Sequence, residues 1–335
     1  MKKICFVAAK SGGHIIPCLT LASQYKKKHS SIKITFISAL NKLDYQLTQN
    51  HPAINKNFYI KLNNVPYKKF YKLPLFFFQL CWETLKTFLM FIGNRPEKIV
   101  STGSYIAIPV ICVGFILRIP IELWELNVVP GKAIKFLSRL ATKINICFKE
   151  TLNYLPNNKC ELADYPINYN EQDKCPPLTC LENLNLTHNR KTIFILGGSQ
   201  GSHELNESIK NLLKNNNDLT TKIQIIHQTG ADNPETIKKW YQIYNIPSYV
   251  FAYQNNLSLM YNAADLIISR AGAGALAEIK FFEKKAIIIP LKTSYTDHQV
   301  SNAYALTKQF PDRFITLETT HHEKLSVILK NNLMF

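Results

Sequence analysis

Arginine is scarce in this chain: of 40 basic residues only those at 95, 118, 139, 190, 270 and 313 are arginine, against 23 acidic residues and a formal charge of +17. The planar guanidinium is the group that reads bases and phosphates bidentately, so a lysine-rich, arginine-poor surplus argues against sequence-specific nucleic-acid recognition. The surplus then points to an anionic membrane surface, to an anionic substrate, or to nothing more than a composition biased toward lysine and asparagine. Also absent is any Cys-x-x-Cys pair or Cys/His cluster at zinc spacing. The eight cysteines, at 5, 18, 81, 112, 147, 160, 175 and 180, are scattered, several of them in apolar runs. They read as buried, reduced thiols of a cytoplasmic protein. No Gly-Lys-Ser/Thr follows a glycine-rich turn, which excludes a P-loop, and no Asp-x-Asp occurs to carry a metal onto a diphosphate. Short-period repeats are missing too. The opening Met1-Lys-Lys passes directly into a strand pattern, which reads as a chain without a secretory signal.

What is present is length enough for two domains and an apolar share to fill them, with 335 residues of which 46% are hydrophobic and 19% charged. Strand-like runs at 4–8, 32–38, 98–101, 119–123 and 143–148 alternate with helical patterns such as 17–28 and 133–140. Such alternation predicts a parallel sheet covered by helices. Between 163 and 191 the periodicity collapses into a stretch rich in Asn, Pro and Cys; it resumes with runs at 192–196, 222–227, 249–253, 265–269 and 286–290. The expectation is an α/β protein of two Rossmann-like, doubly wound domains, 1–163 and 164–335.

One segment, 73–92, is long and apolar. Thirteen large apolar residues would each gain roughly 0.3 to 0.6 kcal/mol on insertion, but a central charge costs about 2.5 to 3.5. Glu83 and Lys86, with Gln79, two threonines and Pro74, offset most of that gain, so the segment is not read as transmembrane. Leu75, Phe78, Trp82, Leu85, Leu89 and Ile92 recur at spacings of three and four and form one helical stripe, while Phe76, Phe77, Met90 and Phe91 point elsewhere. Two readings stand: an ordinary core helix, or a monotopic patch dipping into a bilayer, with Lys68, Lys69, Lys72 and Arg95 at its rim adding about 1 kcal/mol each on an anionic leaflet.

Open doubly wound sheets take ligands at the carboxyl ends of their strands. Four loops there carry candidates. Ala9-Lys-Ser-Gly-Gly-His14 follows the first strand; Gly12 and Gly13 let a ligand approach the backbone, and His14 is a candidate general base. Gly197-Gly-Ser-Gln-Gly201 holds the corresponding place in the second half, where backbone donors, Ser199 and Gln200 suit a diphosphate. Arg270-Ala-Gly-Ala-Gly-Ala-Leu-Ala-Glu278 places a carboxylate early in a helix, where an acceptor-only group suits both ribose hydroxyls; the bland alternative is an acid favoured by the helix dipole. Gln299 and Asn302, in Asp297-His-Gln-Val-Ser-Asn302, offer paired amides to sugar hydroxyls.

These loops, in this order and spacing, resemble the MurG family of inverting glycosyltransferases, and further matches are Gly103-Ser-Tyr105 and Trp124-Glu-Leu-Asn127. The resemblance runs from about residue 3 to 310. It implies the GT-B fold, in which two Rossmann-like domains face a central cleft. It also implies transfer of N-acetylglucosamine from UDP-GlcNAc to the C4 hydroxyl of the muramyl sugar of lipid I, giving lipid II for peptidoglycan synthesis and so serving cell shape and division. The family works without a cofactor, as a peripheral protein on the cytoplasmic face of the plasma membrane. Carried over by match, His14 is the catalytic base. Donor-binding positions are Ser11, Gly12, Gly13, Asn127, Ser199, Gln200, Tyr253, Gln254, Ala273, Gly274, Ala275, Leu276, Ala277, Glu278, Gln299 and Asn302. Tyr105 and Glu125 lie on the acceptor side, and Leu75, Phe78, Trp82, Leu85 and Leu89 form the membrane patch.

Three departures stand out. Lys10 replaces a glycine of the first loop, Asn168 stands where an arginine follows an Asn-Pro-Val segment, and Ala275 replaces a hydroxyl residue. The sequence leaves open whether the last helix packs back on the first domain. Rival readings are another GT-B enzyme using a UDP-sugar, such as a glycolipid synthase or a UDP-GlcNAc epimerase, and a non-catalytic basic binding protein.

Overall fold

The computed structural model describes residues 2–9, 12–63, 66, 70–198, 201–292, 297–318 and 322–333. Ser11, Ser199 and Gln200, like Lys10, Lys68 and Lys69, lie outside the described residues. The chain divides into two compact units, Met1–Ile167 and Asn168–Phe335.

The first unit runs β1 (Lys3–Val7), α1 (Gly12–Lys28), β2 (Lys33–Ala39), α2 (Lys42–Thr48), β3 (Lys56–Ile60), α3 (Leu73–Gly93), β4 (Lys98–Ser101), α4 (Ala107–Ile116), β5 (Ile121–Glu125), α5 (Lys132–Leu137), β6 (Lys143–Ile146) and β7 (Cys160–Leu162). Its strands form one sheet in the order β3-β2-β1-β4-β5-β6-β7, and every pairing is parallel. The second unit runs α6 (Pro177–Asn183), β8 (Lys191–Leu196), α7 (His203–Lys214), α8 (Asn217–Thr220), β9 (Ile223–Gln228), α9 (Pro234–Ile243), β10 (Ser248–Phe251), α10 (Ser258–Ala263), β11 (Leu266–Ser269), α11 (Ala273–Phe281), β12 (Lys285–Ile288), α12 (Asp297–Gln309), β13 (Phe314–Thr316) and α13 (His322–Leu333). Its parallel sheet is ordered β10-β9-β8-β11-β12-β13. Strand order reverses beside β1 in one sheet and beside β8 in the other, which puts the loops after these strands at the switch points.

Both faces of each sheet are buried, as a parallel sheet requires. In β1, Ile4 and Phe6 pack with Ile15, Cys18 and Leu19 of α1, while Cys5 and Val7 join Phe76 of α3 and Val110 of α4 on the opposite face. In β8, Ile193 and Ile195 meet Leu205 and Leu212 of α7, and Phe194 and Leu196 meet Met260 of α10 and Leu276 of α11. Three strands escaped the sequence pattern: β3, β7 and β13. Each lies at a sheet edge, where half the strand needs no apolar cover, and two of them are three residues long.

The last helix belongs to the second unit. Leu325 and Leu329 of α13 sit in the core of the second unit beside Leu205 and Ile209 of α7, Ser326 donates to Asn216 at 2.8 Å, and Lys330 pairs with Asp218 at 3.0 Å. The apolar face of α13 is thus covered within its own unit. The sulfurs of Cys175 and Cys180 lie side by side across the helical turn begun at Pro176. The other six are free, and burial drives the Cys18 thiol up to about 12, as it raises that of Cys5 beside it.

Helix α3 is built inside out. Phe76 and Phe91 enter the core, but so do Glu83 and Thr87, 4% exposed each, while Leu75, Phe77, Phe78, Trp82, Leu85, Leu89 and Ile92 are 49–69% exposed. Glu83 is held by Lys86 at 3.0 Å, and its backbone carbonyl accepts from the Thr87 hydroxyl at 2.7 Å. The reading of an ordinary core helix therefore fails, since the apolar stripe faces outward. Phe115 and Ile116 at the end of α4 are exposed as well, and α4 packs along α3.

Candidate active site

In the first unit the candidates gather at the carboxyl ends of three adjacent strands, β1, β4 and β5. The helix after β1 starts earlier than its sequence pattern suggests: Gly12, Gly13 and His14 form the first turn of α1 and are not a loop before it. The side chain at position 14 is therefore set by helix geometry. His14 Nδ1 lies 2.9 Å from the backbone oxygen of Thr102, at the end of β4, and the Thr102 hydroxyl donates back to the His14 carbonyl at 2.8 Å. A carbonyl only accepts, so in the neutral ring Nδ1 carries the hydrogen and Nε2 is the basic nitrogen. That is the tautomer a general base at this end of the sheet requires. Sequence reasoning missed Thr102, because what it offers the His14 ring is a main-chain oxygen that no side-chain pattern reports.

After Thr102 the chain turns through two consecutive left-handed residues, Gly103 (φ 101°) and Ser104 (φ 82°), before Tyr105. A Cβ on Gly103 would lie 3.2 Å from Ile134 and 3.6 Å from the His14 ring, so glycine keeps the imidazole and this loop in contact. Tyr105 is half-buried, and burial together with nearby Asp44 raises its hydroxyl above the ordinary range.

Glu125 was expected on the acceptor side, yet it is 3% exposed and committed to its own loop. Its Oε1 accepts from the Asn127 backbone N–H at 2.9 Å and side-chain amide at 3.3 Å, and its Oε2 from Gly131 N–H at 3.0 Å. Burial raises its carboxyl to about 7, with these donors opposing the rise. The residue shapes the turn that presents Asn127, whose carbonyl is in turn held by the Thr151 hydroxyl at 3.0 Å.

In the second unit the site follows β8, β9, β10, β11 and β12. The loop after β8 is tightly closed: a Cβ on Gly197 would meet Ser202 N at 2.7 Å, and one on Gly201 (φ 73°) would meet Thr229 O at 2.5 Å. Below it, His227 is fully buried and burial holds it down at about 3, so it is neutral. Asn206 Nδ2 donates to Thr229 O and to Asp232, so its Oδ1 accepts from His227 Nε2, and Tyr241 then donates its hydroxyl to Nδ1 at 2.8 Å. This chain of bonds fixes the start of α7 against the loop after β9.

Glu278 sits well inside α11 rather than at its very start, half-buried, with Oε2 accepting from the Tyr261 hydroxyl at 2.8 Å. Burial raises its carboxyl to about 7 and Tyr261 opposes the rise. A carboxylate held by one donor on one oxygen keeps acceptor capacity for a diol. Ala273, Gly274, Ala275 and Ala277 are partly exposed along the same helix start, while the Leu276 side chain turns into the core and its N–H bonds Gly272 O at 3.0 Å. Asn302 is likewise fully buried, donating to Ala271 O at 3.4 Å, and Gln299 accepts from Leu291 N–H at 3.0 Å. These two amides hold the loops after β11 and β12 together. Tyr253 is 51% exposed, and Gln254 donates to the Tyr249 hydroxyl at 2.9 Å. Among the described residues no three His, Cys, Asp or Glu side chains converge as a metal site.

The comparisons agree with this architecture. Residues 4–146 match the glycosyltransferase family 28 N-terminal domain and residues 192–334 the family 28 C-terminal domain. The UDP-N-acetylglucosamine–N-acetylmuramyl-(pentapeptide) pyrophosphoryl-undecaprenol N-acetylglucosamine transferase of Protochlamydia amoebophila is 32% identical over 90% of this chain and 79% of its own length. The protein of that name from Pelagibacter ubique is 31% identical over 92% and 82%. The crystal structure of Acinetobacter baumannii MurG superposes with a TM-score of 0.77 at 23% identity, covering 100% of this chain and 91% of that one. With two Rossmann-like units in the GT-B fold and relatives across nine tenths of its length, the chain belongs to the MurG family of UDP-GlcNAc-dependent glycosyltransferases.

Proposed function

We propose that this protein transfers N-acetylglucosamine from UDP-GlcNAc to the C4 hydroxyl of the muramyl sugar of lipid I, with inversion at the anomeric carbon, to give lipid II. The observation that carries the reading is His14, its Nδ1 fixed on the Thr102 carbonyl, at the switch point of a chain related throughout to transferases of that name. His14 Nε2 takes the proton of the attacking hydroxyl as the new glycosidic bond forms and the bond to the diphosphate breaks. The leaving UDP carries its negative charge onto the loop after β8, where Ser199, Gln200 and the amides of the α7 N-terminus receive it. Glu278 holds the ribose, Tyr253 and Gln254 the uracil, and Asn127 the donor sugar. Gln299 and Asn302 act on the sugar site through the loops they bind. Ser11, Gly12 and Gly13 contribute from the first unit, with Tyr105 toward the acceptor.

The protein is proposed to be peripheral on the cytoplasmic face of the membrane, docking by the outward stripe of α3 with Lys72 and Arg95 exposed at its ends. Replacing His14 with Ala is expected to lower kcat by about 100- to 10,000-fold while leaving UDP-GlcNAc affinity unchanged. Full turnover in that variant would remove His14 from the mechanism. Release of UDP that does not depend on lipid I, or a changed sugar with donor alone, would favour an epimerase or another transferase. Salt-sensitive nucleic-acid binding without UDP release would favour a non-catalytic protein.

A further inference from the structure

Arg270 follows β11 and is 5% exposed, among the most deeply buried cations of the chain. Its Nε and Nη2 both donate to the Ser202 hydroxyl, at 3.1 and 2.8 Å. Nη2 also reaches Glu204 at 2.8 Å, and Nη1 donates to the Ile289 carbonyl at 3.3 Å. A single guanidinium therefore ties together the exit of the loop after β8, its own loop after β11, and the end of β12. Ser202 is the N-cap of α7 and accepts from Leu205 N–H. It also closes the glycine turn, since nothing larger than glycine fits at 197 against Ser202 N. Moving Ser202 moves both the turn and the first amides of α7.

We infer that Arg270 is a positioning residue for the nucleotide diphosphate: without touching it, the guanidinium fork sets the loop and helix terminus that receive it. The inference rests on the donor reading proposed above. Lysine keeps the charge but has no planar fork to span Ser202, Glu204 and Ile289 at once. In Arg270→Lys, calorimetry is expected to show UDP affinity lowered by about tenfold, the loss of one or two charge-assisted bonds, while uridine, followed by ligand-observed NMR, binds within about twofold of the unaltered protein.

Arg190→Lys serves as the control for a merely structural role. That guanidinium holds the Thr220 and Ile223 carbonyls at 3.0 and 3.1 Å, and its loss should lower the melting temperature with UDP and uridine affinities both kept. Should Arg270→Lys fail to fold, Ser202→Ala removes the shared acceptor and is expected to show the same loss selective for UDP. Equal weakening of UDP and uridine, no weakening of either, or the same selective loss in Arg190→Lys overturns the inference. If the unaltered protein binds no UDP, the donor reading itself falls and this inference with it. If it binds UDP and Arg270→Lys binds equally well, only the role of Arg270 falls.

Discussion

Single residues carry the chemistry through what their neighbours allow. Glu278 illustrates the sign of such an effect. Burial raises its carboxyl to about 7, whereas ribose hydroxyls donate to the ionised form. If Glu278 holds the ribose as proposed, nucleotide binding below that pH releases a proton, and UDP affinity should rise up to about tenfold per pH unit until about pH 7 and then level off. Titration calorimetry in buffers of different ionisation enthalpy reads the proton directly, and Glu278→Gln should abolish the slope. The raised carboxyls of Glu278 and Glu125 also contribute stability that is present in the acid range and lost as pH climbs through about 7, so the melting temperature should fall from pH 5 to pH 8 and fall less in Glu278→Gln. Ser104 makes a different prediction. It holds φ 82° beside the His14 loop, a region costing a non-glycine residue about 1 kcal/mol or more. Ser104→Gly relieves that strain but enlarges the unfolded ensemble, so unfolding free energy should rise by less than about 1 kcal/mol in denaturant titration. Residues of this kind divide by how legible they were. His14, Glu278 and the glycines stand out because their types are informative at strand ends. Thr102, Tyr261 and Arg270 act through a carbonyl, a buried hydroxyl and a buried fork, which only the folded neighbours reveal.

Elements were legible wherever both faces are buried, since continuous apolar runs mark central parallel strands. Edge strands β3, β7 and β13 left weaker marks, and α1 hid its first turn behind two glycines, residues that ordinarily break helices. Helix α3 was legible in period and misleading in direction. Its stripe was equally compatible with a core or a bilayer, and the deciding fact is that Glu83 and Thr87 take the inner positions. Because Phe78 and Trp82 are 69% and 53% exposed, Phe78→Glu with Trp82→Glu should leave folding stability within about 0.5 kcal/mol of the unaltered protein. The same pair is expected to abolish co-sedimentation with anionic vesicles. Retention of vesicle binding would remove the stripe from the membrane reading.

At the scale of the whole molecule, the chain divides between Ile167 and Asn168 into two units with separate cores. If the donor sits on the second unit, saturation with UDP stabilises that unit alone. At a hundred times Kd the gain is about 2.7 kcal/mol. Scanning calorimetry is then expected to resolve a transition that moves upward with UDP and one that does not, and a uniform shift of both would place the nucleotide's contacts elsewhere. The inside-out build of α3 reaches further still. A helix of 21 residues is about 31 Å long, and if its outward stripe docks on lipid as proposed, it lies along the surface without crossing it. An enzyme moored in that way would look for its acceptor along a surface instead of through a volume, so its turnover should follow how densely that acceptor is spread among its neighbours, not how much of it the whole suspension contains.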